Sequence, residues 1–274
     1  MKCFPVKHDS SGRALLNLAC GTRTDPSWNN LDFSPYAFLR RHPHTVTLLR
    51  EIGLLSDKRY LRLEAIDPAI IRWNLARGIP FDDSTFDVVY HSHFLEHLER
   101  EAAVEFLREC RRVLKQGGIL RVVVPNLENL VVRYRDAIQN LDCYGQVAEN
   151  VIAHESTIAD LFDQIVRSES SGPNEQKPWV RPIERLIRGS AAATGENHRW
   201  MYDRHSLSRV LARVGFTTIC ERSAATSAIA GWEQCFLDYD PDGTVYKAES
   251  LYLEATKGGL VEEQKASKTE KAVA

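Results

Sequence analysis

The sequence lacks most of the features that would settle its class at a glance. It has no C-x-x-C pair, and its six cysteines (3, 20, 110, 143, 220 and 235) are scattered. They read as reduced thiols rather than a disulfide or zinc framework. No G-x-G-x-x-G occurs, which argues against a dinucleotide pyrophosphate seated on a helix N-terminus. No apolar run approaches the roughly 18 residues needed to cross a bilayer. Residues 1–11 carry lysines but no apolar stretch of signal-peptide type, so a cytoplasmic location is expected. Neither sign of charge dominates: the formal net charge is −2 and the pI is near 6.5. Such a balance gives no support to nucleic-acid or membrane-surface binding. The Arg40-Arg41 and Arg111-Arg112 pairs read as helix faces. There is no internal repeat.

What is present is an ordinary globular composition, with 43% hydrophobic and 26% charged residues over 274 positions. Residues 14–19 read as a first strand that runs into a turn of small residues, Ala19-Cys20-Gly21. Small residues there let the backbone approach a ligand closely. A second strand at 29–33 carries Asp32, a carboxylate well placed for a ribose diol. Further strands are expected at 69–75, 86–92 and 119–124, the last a near-continuous apolar run broken by Arg121. Helical spacing covers 35–52, interrupted by Pro43, and 101–114, stopped by Gln116-Gly117-Gly118. Strands alternating with helices imply an α/β fold with a parallel sheet.

After Pro125 the texture changes. Residues 127–138 and 144–166 read as helices and 167–177 as a polar loop. The whole 127–200 stretch is expected to be a helical insertion over one end of the sheet. Asp203 then caps a helix through Val214 that Gly215 ends. Two last strands are expected at 216–221 and 250–256, as a hairpin-like pair at the sheet edge. Residues 1–13 read as a loose leader and 258–274 as a disordered tail.

In this order and spacing the segments at 16–22, 30–32, 78–98 and 112–125 resemble class I S-adenosylmethionine-dependent methyltransferases. The likeness covers 14–127 and resumes at 203–257, giving one domain over 14–257. It implies a Rossmann-like seven-stranded sheet of order 3-2-1-4-5-7-6 with strand seven antiparallel, and S-adenosyl-L-methionine as cofactor. It also implies positions. Asn17, Ala19, Cys20 and Gly21 fall on the first turn, under the methionine and ribose. Asp32 matches the ribose carboxylate, Asn74 and Leu75 the adenine contact, and His91 with Ser92 the neighbourhood of the sulfonium. The short first crossover and the segment 198–203 are similar to a bacterial subgroup that often accompanies surface-glycan biosynthesis. A small-molecule or glycan-precursor acceptor is thereby implied.

Three residues depart from the family pattern. Asn17 replaces an acid, Ala19 a glycine and Asn74 an aspartate. An amide oxygen still accepts from an adenine amine, and alanine fits if the backbone angle at 19 is ordinary. Only nine residues, 20–28, separate the first two strands, too few for a crossover helix.

Methyl transfer to oxygen gains from a general base, usually histidine. On a helix starting near 93, His93, Glu96 and His97 would share one face. His93, Glu96 and His198 are the catalytic candidates, and His97, Trp200 and Tyr202 the substrate-lining ones. The same residues match the H-x-x-E-H pattern of inverted zinc peptidases, with Glu169 or Glu175 as a third ligand. The preceding Phe-Asp-Val-Val-Tyr strand fits the methyltransferase and not the peptidase, and no metal is assigned. A third reading is a nucleoside-binding module without turnover, which the departures at 17, 19 and 74 would mark.

Overall fold

The computed structural model describes residues 4–33, 39–40, 42–53, 55–64, 66–145, 147–165 and 198–258. The elements are β1 (Leu15–Leu18), β2 (Asn29–Asp32), α1 (Pro43–Glu51), α2 (Asp57–Glu64) and β3 (Ile71–Arg72). They continue with β4 (Phe86–Ser92), α3 (Arg100–Val113), β5 (Leu114–Pro125), α4 (Leu127–Tyr144) and α5 (Ala148–Ile165). The last described elements are α6 (Arg204–Val214), β6 (Phe216–Arg222) and β7 (Ser250–Lys257). One seven-stranded sheet has the order β3-β2-β1-β4-β5-β7-β6. The first five strands pair in parallel, and β7 runs antiparallel to both β5 and β6.

Period-two alternation sets the two faces of this sheet. Leu16, Leu18, Val89 and Leu120 point to one side, where Phe106, Leu107 and Cys110 of α3 and Leu207 and Leu211 of α6 cover them. Leu15, Val88, Tyr90 and Val123 point to the other. There the cover comes from Trp28 and from Ala224, Ile229, Trp232 and Leu237 of the long β6–β7 connection. The β4–β5 step is tight at Gly118. A Cβ there would stand 2.9 Å from Lys115 O and 3.1 Å from Asp87 O, so only glycine fits.

Several expectations shift. The Gln116-Gly117-Gly118 stop lies inside β5, because α3 passes straight into the strand at Leu114. The third strand has two residues, not seven, since Asn74 turns the chain into a 3-10 turn at Leu75–Arg77. Pro43 opens α1 rather than interrupting it, as its missing N–H allows at a first helical position. Helix α2 was not expected at all. Of the last two strands β6 alone lies at an edge, for β7 sits between β5 and β6; β3 forms the opposite edge. Residues 4–13 are tied to the body: Asn29 exchanges hydrogen bonds with both Lys7 N and Lys7 O at 2.8 Å, and Phe4 packs edge-on to Trp73. Helices α4 and α5 form the described part of the expected insertion; Glu169, Glu175 and the tail from 259 lie outside the described residues.

Candidate functional site

In an open parallel sheet, ligands bind outside the carboxyl ends of the strands. The chemistry-bearing residues gather at that end of β1, β2 and β4. After β1, Cys20 N donates to Leu31 O at 3.1 Å, and Gly21 N donates to Asp32 Oδ2 at 2.8 Å. Asp32 therefore holds the turn as well as ending β2, with only 8% of its surface exposed. The short crossover is kept open by amides. Asn17 Nδ2 donates to Arg23 O at 2.8 Å and to Asn30 Oδ1 at 3.0 Å, and Asn30 Nδ2 donates to Asp25 O at 2.9 Å. Asn17 is fully buried, so it shapes the loop from below. Asn29 and Asn30 were not among the expected residues; two adjacent amides just before Asp32 were the available signal.

Ala19 is a correction. Its φ is +52°, in the left-handed region, so the backbone angle is not ordinary and the alanine carries strain that glycine would not. Gly21 has a φ of +54°, and a Cβ built on it meets nothing within 4 Å. Open space thus lies over the turn beside a nearly buried carboxylate, which fits the ribose end of a nucleoside. Asn74 is half-buried and its Oδ1 accepts from Ala76 N at 3.0 Å, capping the turn that carries Leu75. Burial pushes the Cys20 thiol well above its usual range, which leaves it inert.

No helix starts at 93. His93 has a φ of +49°, a 3-10 turn follows at Leu95–His97, and α3 begins only at Arg100. That geometry still brings the polar residues together. Glu96 is wholly buried, and its Oε1 stands 3.2 Å from His93 Nδ1 and 4.0 Å from His97 Nε2. Burial works to raise this carboxyl, but contact with His93 and the charges of His93 and His97 outweigh it and hold it below the usual range. The other ring nitrogen of His93, Nε2, is 2.9 Å from Ser250 Oγ on β7. Ser250 is a site residue that the sequence did not point to.

The backbone of Glu96 also recruits the segment before α6. Its carbonyl accepts from Arg199 N at 2.7 Å and Trp200 N at 3.2 Å. His198 is thereby placed edge-on to His97, with ring centroids 4.9 Å apart. Trp200 is partly exposed, under the Arg100 guanidinium at 4.4 Å. Tyr202 is instead buried in the core, and burial pushes its hydroxyl up to about 12. His91 packs in the core against Phe106 at 5.1 Å, with neither ring nitrogen hydrogen-bonded among the described residues. Burial drives its pKa down to about 4, so it is neutral. Ser92 ends β4 beside Val123 of β5.

The strand order and the single antiparallel reversal at β7 are those the resemblance implied. A family model described as a methyltransferase domain matches residues 57–122. The sheet order and the matched region are those of a class I S-adenosylmethionine-dependent methyltransferase. A probable S-adenosylmethionine-dependent methyltransferase of Mycobacterium tuberculosis, Rv3030, is 41% identical over 68 residues, 25% of this chain and 22% of that protein. The phthiotriol/phenolphthiotriol dimycocerosates methyltransferase of the same species is 32% identical over 113 residues, 40% of this chain and 37% of that protein. The chain thus spans well under half the length of the curated relatives it matches. Among solved structures, the PH0226 protein of Pyrococcus horikoshii aligns with 89% of this chain and 81% of that one at 15% identity, with a TM-score of 0.41. No described helix is long and apolar enough to cross a membrane.

Proposed function

We propose that this methyltransferase moves a methyl group from S-adenosylmethionine to an oxygen of a small-molecule acceptor. The observation that carries the reading is Asp32, whose carboxylate braces the Gly21 turn beneath open space. In that place it accepts from a ribose diol, while Asn74 and Leu75 border the base. When bound, S-adenosylmethionine supplies an electrophilic methyl group on a good leaving group. The protein's part is positioning, water exclusion and proton removal.

His93 is assigned the proton. Its Nε2 stands 2.9 Å from Ser250 Oγ, whose own proton goes to Lys247 O at 2.9 Å, and an acceptor hydroxyl taking the place of Ser250 would present its proton there. Glu96 behind Nδ1 then stabilises the imidazolium that forms, as a carboxylate does behind a catalytic histidine. His97, His198 and Trp200 border the same place, and α4 with α5 contributes to the acceptor side. A sugar or glycan precursor is the acceptor class we favour, supported by the resemblance of the segment 198–203, and a cytoplasmic location accords with it.

The test is calorimetric titration with S-adenosylhomocysteine, followed by an acceptor screen that reads its release. Micromolar one-to-one binding and turnover that His93→Ala lowers without loss of that binding support the reading. Absence of binding would favour a module without turnover.

A further inference from the structure

We propose that Glu96, His97 and His198 form a binding site for a divalent transition-metal ion of the zinc type. The inference stands on this cluster and does not rest on the methyl-transfer reading. One donor atom from each of the three residues can be chosen so that all lie within 4.8 Å of one another. Two imidazoles and one carboxylate are a donor set suited to zinc, at bond lengths of about 2.0–2.2 Å. Around one tetrahedral ion such donors sit about 3.3 Å apart, so each must move inward by less than about 1 Å.

A second observation points the same way. Glu96 is completely buried, and neither of its oxygens has a hydrogen-bond partner of good geometry among the described residues. Imidazoles approach Oε1 alone, at 3.2 and 4.0 Å, and a buried carboxylate whose other oxygen is unmet is costly unless a cation joins it. His93 Nδ1 at 3.2 Å lies beside Oε1, and the Ser250 hydroxyl fixes the far side of that ring. This is the outer-shell support that orients a ligating carboxylate.

The backbone is built to assemble the three. The 3-10 turn Leu95–His97 presents Glu96 and His97 as neighbours, and the Glu96 carbonyl clamps Arg199 N and Trp200 N so that His198 arrives from the far side of the insertion. Three protein ligands leave a tetrahedral ion one further position, open to water or to an oxygen of the acceptor.

The whole 274-residue chain, dialysed against EDTA and then freed of it, would be titrated with Co2+ while visible absorption is recorded. The expected result is a saturable d–d spectrum at one equivalent, displaced by Zn2+ and not by Mg2+. His97→Ala and His198→Ala should each weaken Co2+ binding tenfold or more, and Glu96→Gln, which keeps the side-chain shape, should do the same. His205→Ala, an exposed histidine on α6, should bind as the parent does. Circular dichroism and S-adenosylhomocysteine affinity report whether each variant is folded. A spectrum that never saturates at one equivalent overturns the proposal. So does binding that folded His97→Ala and His198→Ala variants retain in full. Neither result would touch the cofactor site, which the S-adenosylhomocysteine titration reads separately.

Discussion

Asp32 Oδ2 accepts a hydrogen bond from Gly21 N at 2.8 Å, tying the end of β2 to the turn after β1. One carboxylate thus braces the loop and, in the function proposed above, would also hold the ligand. Asp32→Asn keeps the shape and an accepting oxygen but loses the charge. It should weaken S-adenosylhomocysteine binding by about 1.5–3 kcal/mol, the worth of a hydrogen bond to a charged group. Calorimetry that finds the affinity unchanged would remove Asp32 from the site.

Ala19 is held at φ +52°. The left-handed conformation costs a non-glycine residue about 1–2 kcal/mol, and glycine gives back about 0.5–1 kcal/mol in chain entropy. Ala19→Gly should therefore stabilise the fold by roughly 0.5–1 kcal/mol. A denaturant midpoint that does not rise would show the strain to be relieved elsewhere.

His91 gives the fold a pH dependence. Its folded pKa, lowered by burial to about 4, lies under an unfolded value near 6.5, and the charged group facing it is Glu96. Between those values the unfolded chain binds a proton that the native one refuses, so stability is complete above about pH 6.5 and falls as the pH drops toward 4. The maximum slope is about 1.4 kcal/mol per pH unit. Urea titrations of the wild type and His91→Phe across that window should differ in slope. Parallel curves would mean that His91 takes a proton in the folded state.

Arg121 is completely buried in the middle of β5, pairing with Asp238 at 2.9 Å and Glu254 at 2.8 Å and lying 4.3 Å under the Trp232 ring. Tyr90 donates to the same Asp238 at 2.5 Å. Arg121→Met would leave the buried Asp238 without its cation and Glu254 with only Arg222, at 3.0 Å, which costs about 3–5 kcal/mol. Replacing the arginine and both acids together with apolar residues should recover much of that. Equal loss in the single and triple variants, measured by chemical unfolding, would contradict the electrostatic account.

Local pattern alone determined the alternation of strands and helices, the Asp203 cap and the turn that Asp32 braces. Each is written in contiguous residues: apolar period two for strands, a capping oxygen three residues before Ser206, small residues after a strand. The pattern reached the polar residues near 93 as well, although it put them on a helix where the chain makes a 3-10 turn. What it could not contain are relations between distant positions. Why an arginine interrupts β5 is answered only by Asp238 and Glu254, more than a hundred residues further on. That His91 is a core residue while His93 meets Ser250 follows from α3 covering the His91 face of β4 and from the φ of +49° at His93, which breaks the strand's alternation. The pairing of His97 with His198 exists because the Glu96 carbonyl captures the backbone at 199 and 200. Propensity and spacing act within a turn or two of chain; burial, ion pairing and the meeting of two imidazoles depend on packing, and packing belongs to the folded whole.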